Sequence, residues 1–192
     1  MPKLYFRYGV MNSSKTAQLI MVAHNYRSRG KDVLVLKPSI DCRTEQVYSR
    51  AMSSIPVDKV IFPDSNQAIF DSDYDFMNIH CILVDECQWL SESNVDELKF
   101  VSTTKVPVIC YGLKTDYRSR MFVGSKRLIE IADSIEEIKN VCISCDKKAI
   151  INAKFYVDDC GNKTIVNDGS DEPDFGGEEK YQAMCWKCWK TV

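Results

Sequence analysis

An α/β fold is what this 192-residue sequence predicts: a parallel sheet with helices on both faces, followed by a small cysteine-rich unit. Three observations predict it. Short apolar runs alternate with helix-length segments through the first 140 residues, the order that builds βαβ units. The run Val33-Leu34-Val35-Leu36 is continuously apolar, as a strand buried on both faces must be. Beyond residue 141 the composition changes to paired cysteines, short strands and a polar, acidic stretch, which marks a second unit.

The elements follow in order. Lys3 to Tyr8 is a β-rich aromatic run, and Lys15 to Arg29 carries Ala17, Ile20, Met21 and Ala23 at broadly helical spacing. Gly30 stands where a helix is stopped by a left-handed residue. Asp32 to Leu36, Val60 to Phe62, Cys81 to Val84 and Val106 to Tyr111 read as strands. Asn66 to Asp73, Glu92 to Val101 and Gly124 to Ala132 read as helices, the second with Ser91 or Ser93 as its N-cap. In the last fifty residues, Ala149 to Val157 and Lys163 to Val166 are strand candidates, and the polar run from Asn167 to Asp174 reads as a loop. The expected units are residues 1–141 and 142–192.

Composition excludes several classes. Hydrophobic residues at 45% and charged residues at 27% rule out disorder as the main state. Charges interrupt the N-terminal run Met-Pro-Lys-Leu-Tyr-Phe-Arg-Tyr, so it lacks the apolar core of a signal peptide, and a cytoplasmic location is expected. Twenty-five basic against 27 acidic residues, without a basic block, argue against nucleic acid as the main ligand, and no apolar run approaches the length of a membrane span, so no membrane partner is expected. Nine cysteines in such a chain call for a metal or for burial rather than a disulfide framework. Cys81 and Cys110, inside apolar runs, read as small buried hydrophobes, and His24 and His80 as packing residues.

Three motifs carry chemistry. Gly9-Val10-Met11-Asn12-Ser13-Ser14-Lys15-Thr16 lies between a strand and a helix and has the spacing of a P-loop, with Ser14 where the pattern has glycine. Backbone N–H groups and the helix N-terminus there face phosphates, Lys15 reaches the β and γ oxygens, and the Thr16 hydroxyl reaches Mg²⁺. If position 14 requires a left-handed backbone, the serine costs about 1–3 kcal/mol. The competing reading is a capped turn with an incidental lysine. Second, Ile82-Leu83-Val84-Asp85-Glu86 sets two carboxylates at the end of an apolar strand, where open α/β sheets bind ligands. Asp85 suits Mg²⁺ and Glu86 suits a general base, against the plainer reading of a solvated strand end. Third, Cys142/Cys145 and Cys185/Cys188 form two Cys-x-x-Cys pairs, a set of four thiolates suited to tetrahedral Zn²⁺. A redox dithiol is the rival for either pair alone.

Taken with Met11 in the phosphate loop, Asp41-Cys42-Arg43, Asp85-Glu86-Cys87-Gln88-Trp89, Tyr111-Gly112-Leu113-Lys114-Thr115-Asp116-Tyr117, Gly176-Gly177 and Lys180-Tyr181, these motifs resemble the type II thymidine kinases over nearly the whole chain. The resemblance implies ATP, Mg²⁺ and a structural Zn²⁺, with phosphoryl transfer to thymidine and deoxyuridine. It implies that Glu86 is the base, that Asp41 lies with Thr16 near Mg²⁺, and that Arg43 steadies phosphate charge. Gly9 to Thr16, Asp85 and Gln88 would serve the nucleotide. Met11, Trp89, Leu113, Tyr117, Phe122 and Tyr181 would wall the thymine beneath a loop at about 167–184 that brings Phe175, Gly176 and Gly177. Asn152 stands where the family often has a threonine or an apolar residue facing the 5-position of the base, and Trp89 where it usually has phenylalanine. A homotetramer and feedback inhibition by thymidine triphosphate (dTTP) also follow from the resemblance. The alternatives are a zinc-ribbon P-loop ATPase that binds nucleic acid, and a catalytically weakened nucleotide sensor.

Overall fold

The computed structural model describes residues 1–39, 46–49, 54–63, 67–158, 163–166 and 180–191. In chain order the first unit runs β1 (Leu4–Tyr8), α1 (Lys15–Arg27), β2 (Asp32–Pro38), β3 (Gln46–Tyr48), β4 (Ser54–Pro56), β5 (Lys59–Ile61), β6 (Ile79–Val84), α2 (Glu92–Thr104), β7 (Val108–Gly112), α3 (Val123–Ile131) and β8 (Ser134–Glu137). Then come β9 (Ile151–Val157), β10 (Lys163–Val166), β11 (Tyr181–Met184) and α4 (Trp186–Lys190). Six strands form one sheet in the order β5-β2-β6-β7-β1-β8, and every pairing in it is parallel.

Side-chain alternation along these strands builds two cores from one sheet. Val33, Val35, Cys81, Leu83, Ile109 and Tyr111 point to the α1 side and meet Leu19, Ile20 and Ala23. Their neighbours Leu36, Ile82, Val84, Val108 and Cys110, with Leu4 and Phe6, point the other way and meet Val95, Leu98 and Val101 of α2 and Leu128 of α3. A strand buried on both faces cannot alternate apolar with polar, which is why these runs are continuous in sequence. Cys81 and Cys110 are fully buried on opposite sides.

Helix ends obey local chemistry. Ser91 caps α2 by accepting from the Asn94 N–H, and Asn94 answers at the Ser91 N–H. Helix α1 stops at Arg27, and Gly30 at φ 69° lets the chain turn back into β2. His24 is exposed on α1 rather than packed.

The elements depart from the sequence reading at three places. The helix expected at Asn66 to Asp73 is absent over the described residues 67–73. Instead the Glu97 carboxylate of α2 accepts the N–H groups of Ile69 and Phe70, both at 2.8 Å, and Phe70 packs its ring on Tyr74 and Phe76. A long-range acceptor and an aromatic cluster outweigh a short helix, whose nucleation is costly. Strand β8 escapes a reading by hydrophobicity because Ser-Ile-Glu-Glu is an exposed edge, charged as sheet edges commonly are. The expected loop at about 167–184 ends in a strand, since β11 pairs with β9 from Tyr181↔Lys154 to Met184↔Ile151.

The second, antiparallel sheet has the order β10-β9-β11 and buries Ile151, Ala153, Ile165, Met184 and Trp189 around the cysteines. It meets the phosphate loop where Val10 packs on Ala149 and Ala183.

Gly124 tests the contact of α3 with the turn Cys87–Trp89. A Cβ there would stand 2.6 Å from the Cys87 carbonyl oxygen and 2.7 Å from that of Leu90. Alanine gains about 1 kcal/mol of helix propensity, but overpacking against backbone costs about 1–3 kcal/mol. Gly124→Ala is therefore expected to be destabilising by about 1 kcal/mol in urea unfolding; a stabilised variant would mean that α3 shifts freely.

Candidate active site at the carboxyl edge of the sheet

Parallel strands deliver their following loops to one edge, and four of the expected motifs start there. The phosphate-loop sequence follows β1, Asp85 and Glu86 follow β6, Leu113 follows β7, and the chain leaving β2 leads towards Asp41 and Arg43. Asp41 and Arg43 lie outside the described residues, as do Phe175, Gly176 and Gly177.

The loop Gly9–Ser14 packs tightly. Any Cβ on Gly9 would come within 2.5 Å of the Ile138 carbonyl oxygen, so only glycine fits. Asn12 (φ 60°) and Ser14 (φ 64°, ψ 23°) are left-handed, and α1 begins at the next residue without a side-chain cap on its first N–H groups. Ser14 thus carries the strain that a glycine would avoid. Lys15 is only 8% exposed; its ammonium donates to the Val10 carbonyl at 2.8 Å and to Ser13 Oγ at 3.4 Å. Burial lowers the Lys15 pKa, and the Glu86 and Asp85 carboxylates oppose that fall.

Thr16 Oγ1 donates to the Asp85 carboxylate at 3.3 Å, joining the first turn of α1 to the end of β6. Asp85 is 4% exposed. Burial, and then the neighbouring Glu86 charge, push its carboxyl up to about 7, while the Glu86 N–H and the Lys15 and Lys37 ammonium groups pull it down. Lys37, a buried lysine in β2, was not singled out in the sequence; a lysine in an otherwise apolar strand was the available signal.

Glu86 is half-buried with φ 51° and ψ 36°, a third left-handed non-glycine residue at this edge. Gln88 fixes it. The Gln88 side-chain amide donates to Glu86 Oε2 at 2.6 Å, and its oxygen accepts the Leu113 N–H at 3.0 Å. Gln88, expected among nucleotide contacts, is buried and turned to Glu86 and Leu113. Ser125 Oγ donates to the Leu113 carbonyl at 2.6 Å, so both backbone groups of Leu113 are held.

The expected base-walling residues divide. Trp89 and Phe122 meet edge to face with centroids 5.0 Å apart. Tyr117 is 1% exposed and carries Lys154 and Arg118 over its ring at 5.1 and 5.4 Å. Asp116 shapes that loop by accepting the N–H groups of Arg118 and Arg120 and the Arg118 guanidinium. Tyr181 is buried on β11. Asn152 is buried, with its amide bonded to the Met11 N–H and the Thr115 carbonyl.

Away from this edge, the sulfurs of Cys142, Cys145, Cys185 and Cys188 all lie within 4.8 Å of one another. Cys145 stands 3.7 Å from Cys185 and 3.6 Å from Cys188. Tetrahedral zinc with Zn–S bonds of about 2.3 Å requires sulfurs about 3.8 Å apart, so the set fits. The N–H of Cys188, at 3.4 Å, pulls the Cys185 thiol down to about 7, and hydrogen bonding to Cys185 raises Cys188 to about 12.

A family model described as thymidine kinase matches residues 2–189. The chain belongs to the thymidine kinase family. It is 41% identical over 204 residues to the thymidine kinase of Enterobacteria phage T4, which spans 100% of this chain and 97% of that protein. The thymidine kinase of Streptococcus agalactiae serotype Ia is 38% identical over 97% of this chain and 96% of its own length. That of Shouchella clausii is 39% identical over 98% and 96% respectively. The phosphate-loop segment, the carboxylate pair and the four cysteines thus all fall within the matched span. No helix among the described residues is long and apolar enough to cross a membrane.

Asp85 supplies a pH test. Its folded-state pKa of about 7 exceeds the unfolded value of about 3.9, so the folded chain binds this proton more tightly. Stability without nucleotide or Mg²⁺ should therefore fall as pH rises from about 4 to about 7. Asp85→Asn removes that loss: its melting temperature should exceed the parent's at pH 8, with the gap narrowing towards pH 5. An equal gap at both values would mean that Asp85 does not titrate in this window.

Proposed function

We propose that the chain transfers the γ-phosphoryl group of ATP to the 5′-hydroxyl of thymidine, and of deoxyuridine, with Glu86 as general base. Family membership supports the reaction, and the observation that carries the residue assignment is the Glu86 carboxylate held by Gln88 beside buried Lys15 and the Thr16–Asp85 pair. The 5′-hydroxyl gives its proton to Glu86 as its oxygen forms a bond to the γ-phosphorus. The bond from that phosphorus to the β,γ-bridging oxygen breaks, and ADP leaves with the electron pair.

Lys15 and the loop N–H groups bind the phosphates. Left-handed Ser14 aims its own N–H at the cost of strain. Thr16 and Asp85, with Asp41, would hold Mg²⁺, which supplies charge neutralisation on the phosphates. Arg43 would add a guanidinium to the same charge. Met11, Trp89, Leu113, Tyr117, Phe122 and Tyr181, with the segment at Phe175, Gly176 and Gly177, are assigned to thymidine. Asn152 holds the loops between which the base lies.

The four cysteines would hold a structural Zn²⁺. A division into residues 1–141 and 142–192, a homotetramer, dTTP feedback and a cytoplasmic location belong to the same reading and rest on the sequence and the family resemblance. No observation favours a nucleic-acid-dependent ATPase or a weakened sensor.

An ATP-dependent assay over a nucleoside panel tests the reaction. Thymidine should be phosphorylated and purine nucleosides should not; a chain inactive on every pyrimidine nucleoside overturns the reading. Glu86→Gln keeps the shape but not the base, so turnover should fall about 10²–10⁴-fold with nucleoside binding little changed. Normal turnover in Glu86→Gln, beside an inactive Asp41→Asn at saturating Mg²⁺, would move the base to Asp41.

Purified protein should hold close to one zinc per chain. Cys188→Ser should lose it and loosen the smaller sheet while the parallel sheet stays folded. Less than about half an equivalent in the parent would count against a four-thiolate site.

A further inference from the structure

Met11 sits at the top of the phosphate loop, and its backbone is held from outside that loop. Its N–H donates to Asn152 Oδ1 at 2.7 Å, and its carbonyl accepts from the Asn140 side-chain amide at 3.3 Å. Asn152 lies on β9, is 3% exposed, and uses its own Nδ2 to donate to the Thr115 carbonyl at 3.0 Å. One planar amide thus joins three pieces of chain: the phosphate loop, the loop after β7 that leads to Tyr117, and the sheet built beside the four cysteines. Beneath it, Val10 packs on Ala149 and Ala183.

We infer that Asn152 is a positioning residue for both substrates, fixing the phosphate loop against the nucleoside loop so that the two sites keep their spacing. This rests on the proposed reading of those loops as the ATP and thymidine sites. The physical reason lies in the loop's own backbone. Asn12 and Ser14 are both left-handed, a conformation that asparagine tolerates but serine adopts only at a cost, so the loop is not in the form its sequence prefers unaided. Met11 stands directly before the first of them. Anchoring its N–H at buried Asn152 and its carbonyl at half-buried Asn140 holds the strained loop in place before nucleotide arrives, which removes an ordering cost from binding.

The residue type fits the task. The two backbone groups that Asn152 meets have opposite polarity, so the clamp needs an acceptor and a donor on one short rigid group. Aspartate lacks the donor and would set a carboxylate oxygen against the Thr115 carbonyl. Leucine, of similar size, would leave the Met11 N–H and the Thr115 carbonyl without partners in a closed site.

Asn152→Ala, Asn152→Ser and Asn140→Ala test this. The readouts are the Kd of a non-hydrolysable ATP analogue by calorimetry without nucleoside, KM and kcat for each substrate, and the melting temperature. Asn152→Ala should weaken analogue binding about ten-fold and raise both KM values, with kcat changed less. Asn152→Ser, whose hydroxyl can take one of the two bonds, should fall between Ala and the parent. Asn140→Ala, which frees only the Met11 carbonyl, should weaken analogue binding by about three-fold. If Asn152→Ala does not fold, the Ser and Asn140 variants decide. A raised thymidine KM beside an unchanged analogue Kd would overturn the inference and return Asn152 to the wall of the base pocket. A lowered melting temperature with unchanged Kd and KM values would overturn it in favour of a purely structural bond. Analogue binding needs no nucleoside, so this outcome is independent of whether the parent phosphorylates thymidine.

Discussion

A buried lysine beside buried carboxylate is the constraint on which the rest of the molecule depends. Lys15 and Asp85 are both nearly removed from solvent, and burial moves each towards its neutral form. The Lys15 and Lys37 ammonium groups favour the charged form of Asp85 while Glu86 opposes it, so its ionisation is set by groups fixed at the carboxyl edge of the sheet. Such a cluster is a poor way to stabilise a fold, since the cost of removing ions from water rivals the gain from pairing them. It is a good way to prepare a polar site for a charged ligand, because the opposed groups are already dry and fixed.

Backbone strain collects at the same edge. Three of the four left-handed non-glycine residues among those described, Asn12, Ser14 and Glu86, belong to the phosphate loop or follow β6. Asparagine tolerates this conformation, but Ser14 and Glu86 each cost about 1–3 kcal/mol, a sizeable fraction of a domain's stability. Surrounding contacts over-determine them. Gln88 holds Glu86, Asn152 and Asn140 hold Met11, and Gly9 admits the loop to a space that any side chain would close. The parallel sheet, with apolar residues on both faces, supplies the stability against which this strain is stored.

The cysteine-bearing unit therefore does more than gather four thiols. Its β9 strand carries Asn152, its β11 strand carries Tyr181 and Ala183, Ala149 lies just before β9, and the chain leading into the unit carries Asn140. Asn152 and Asn140 bond to Met11, and Ala149 and Ala183 pack on Val10. Four thiolates that close on a cation would stiffen this unit, and through Asn152 and Val10 that stiffness would reach the loop Gly9–Ser14.

Local sequence by itself determined the apolar strands, the first helix and the spacing of the phosphate-loop, carboxylate and cysteine motifs. Each is written in a contiguous pattern: apolar runs, a glycine stop, a capping serine, two cysteine pairs. Even the possible cost of Ser14 was legible, because a side chain stood where the motif has glycine; only the backbone could show that the position is left-handed. Tertiary structure decided what depends on partners far along the chain. Glu97 replaced the expected helix near Phe70, edge pairing made a strand of Ser134–Glu137, and a strand on β9 drew Tyr181–Met184 out of a loop. It also turned Gln88 towards Glu86 and Asn152 towards Met11 and Thr115. A side-chain amide announces its capacity to bond in the sequence, but its partners lie 25 and 141 residues away and are chosen only when the sheet edge closes.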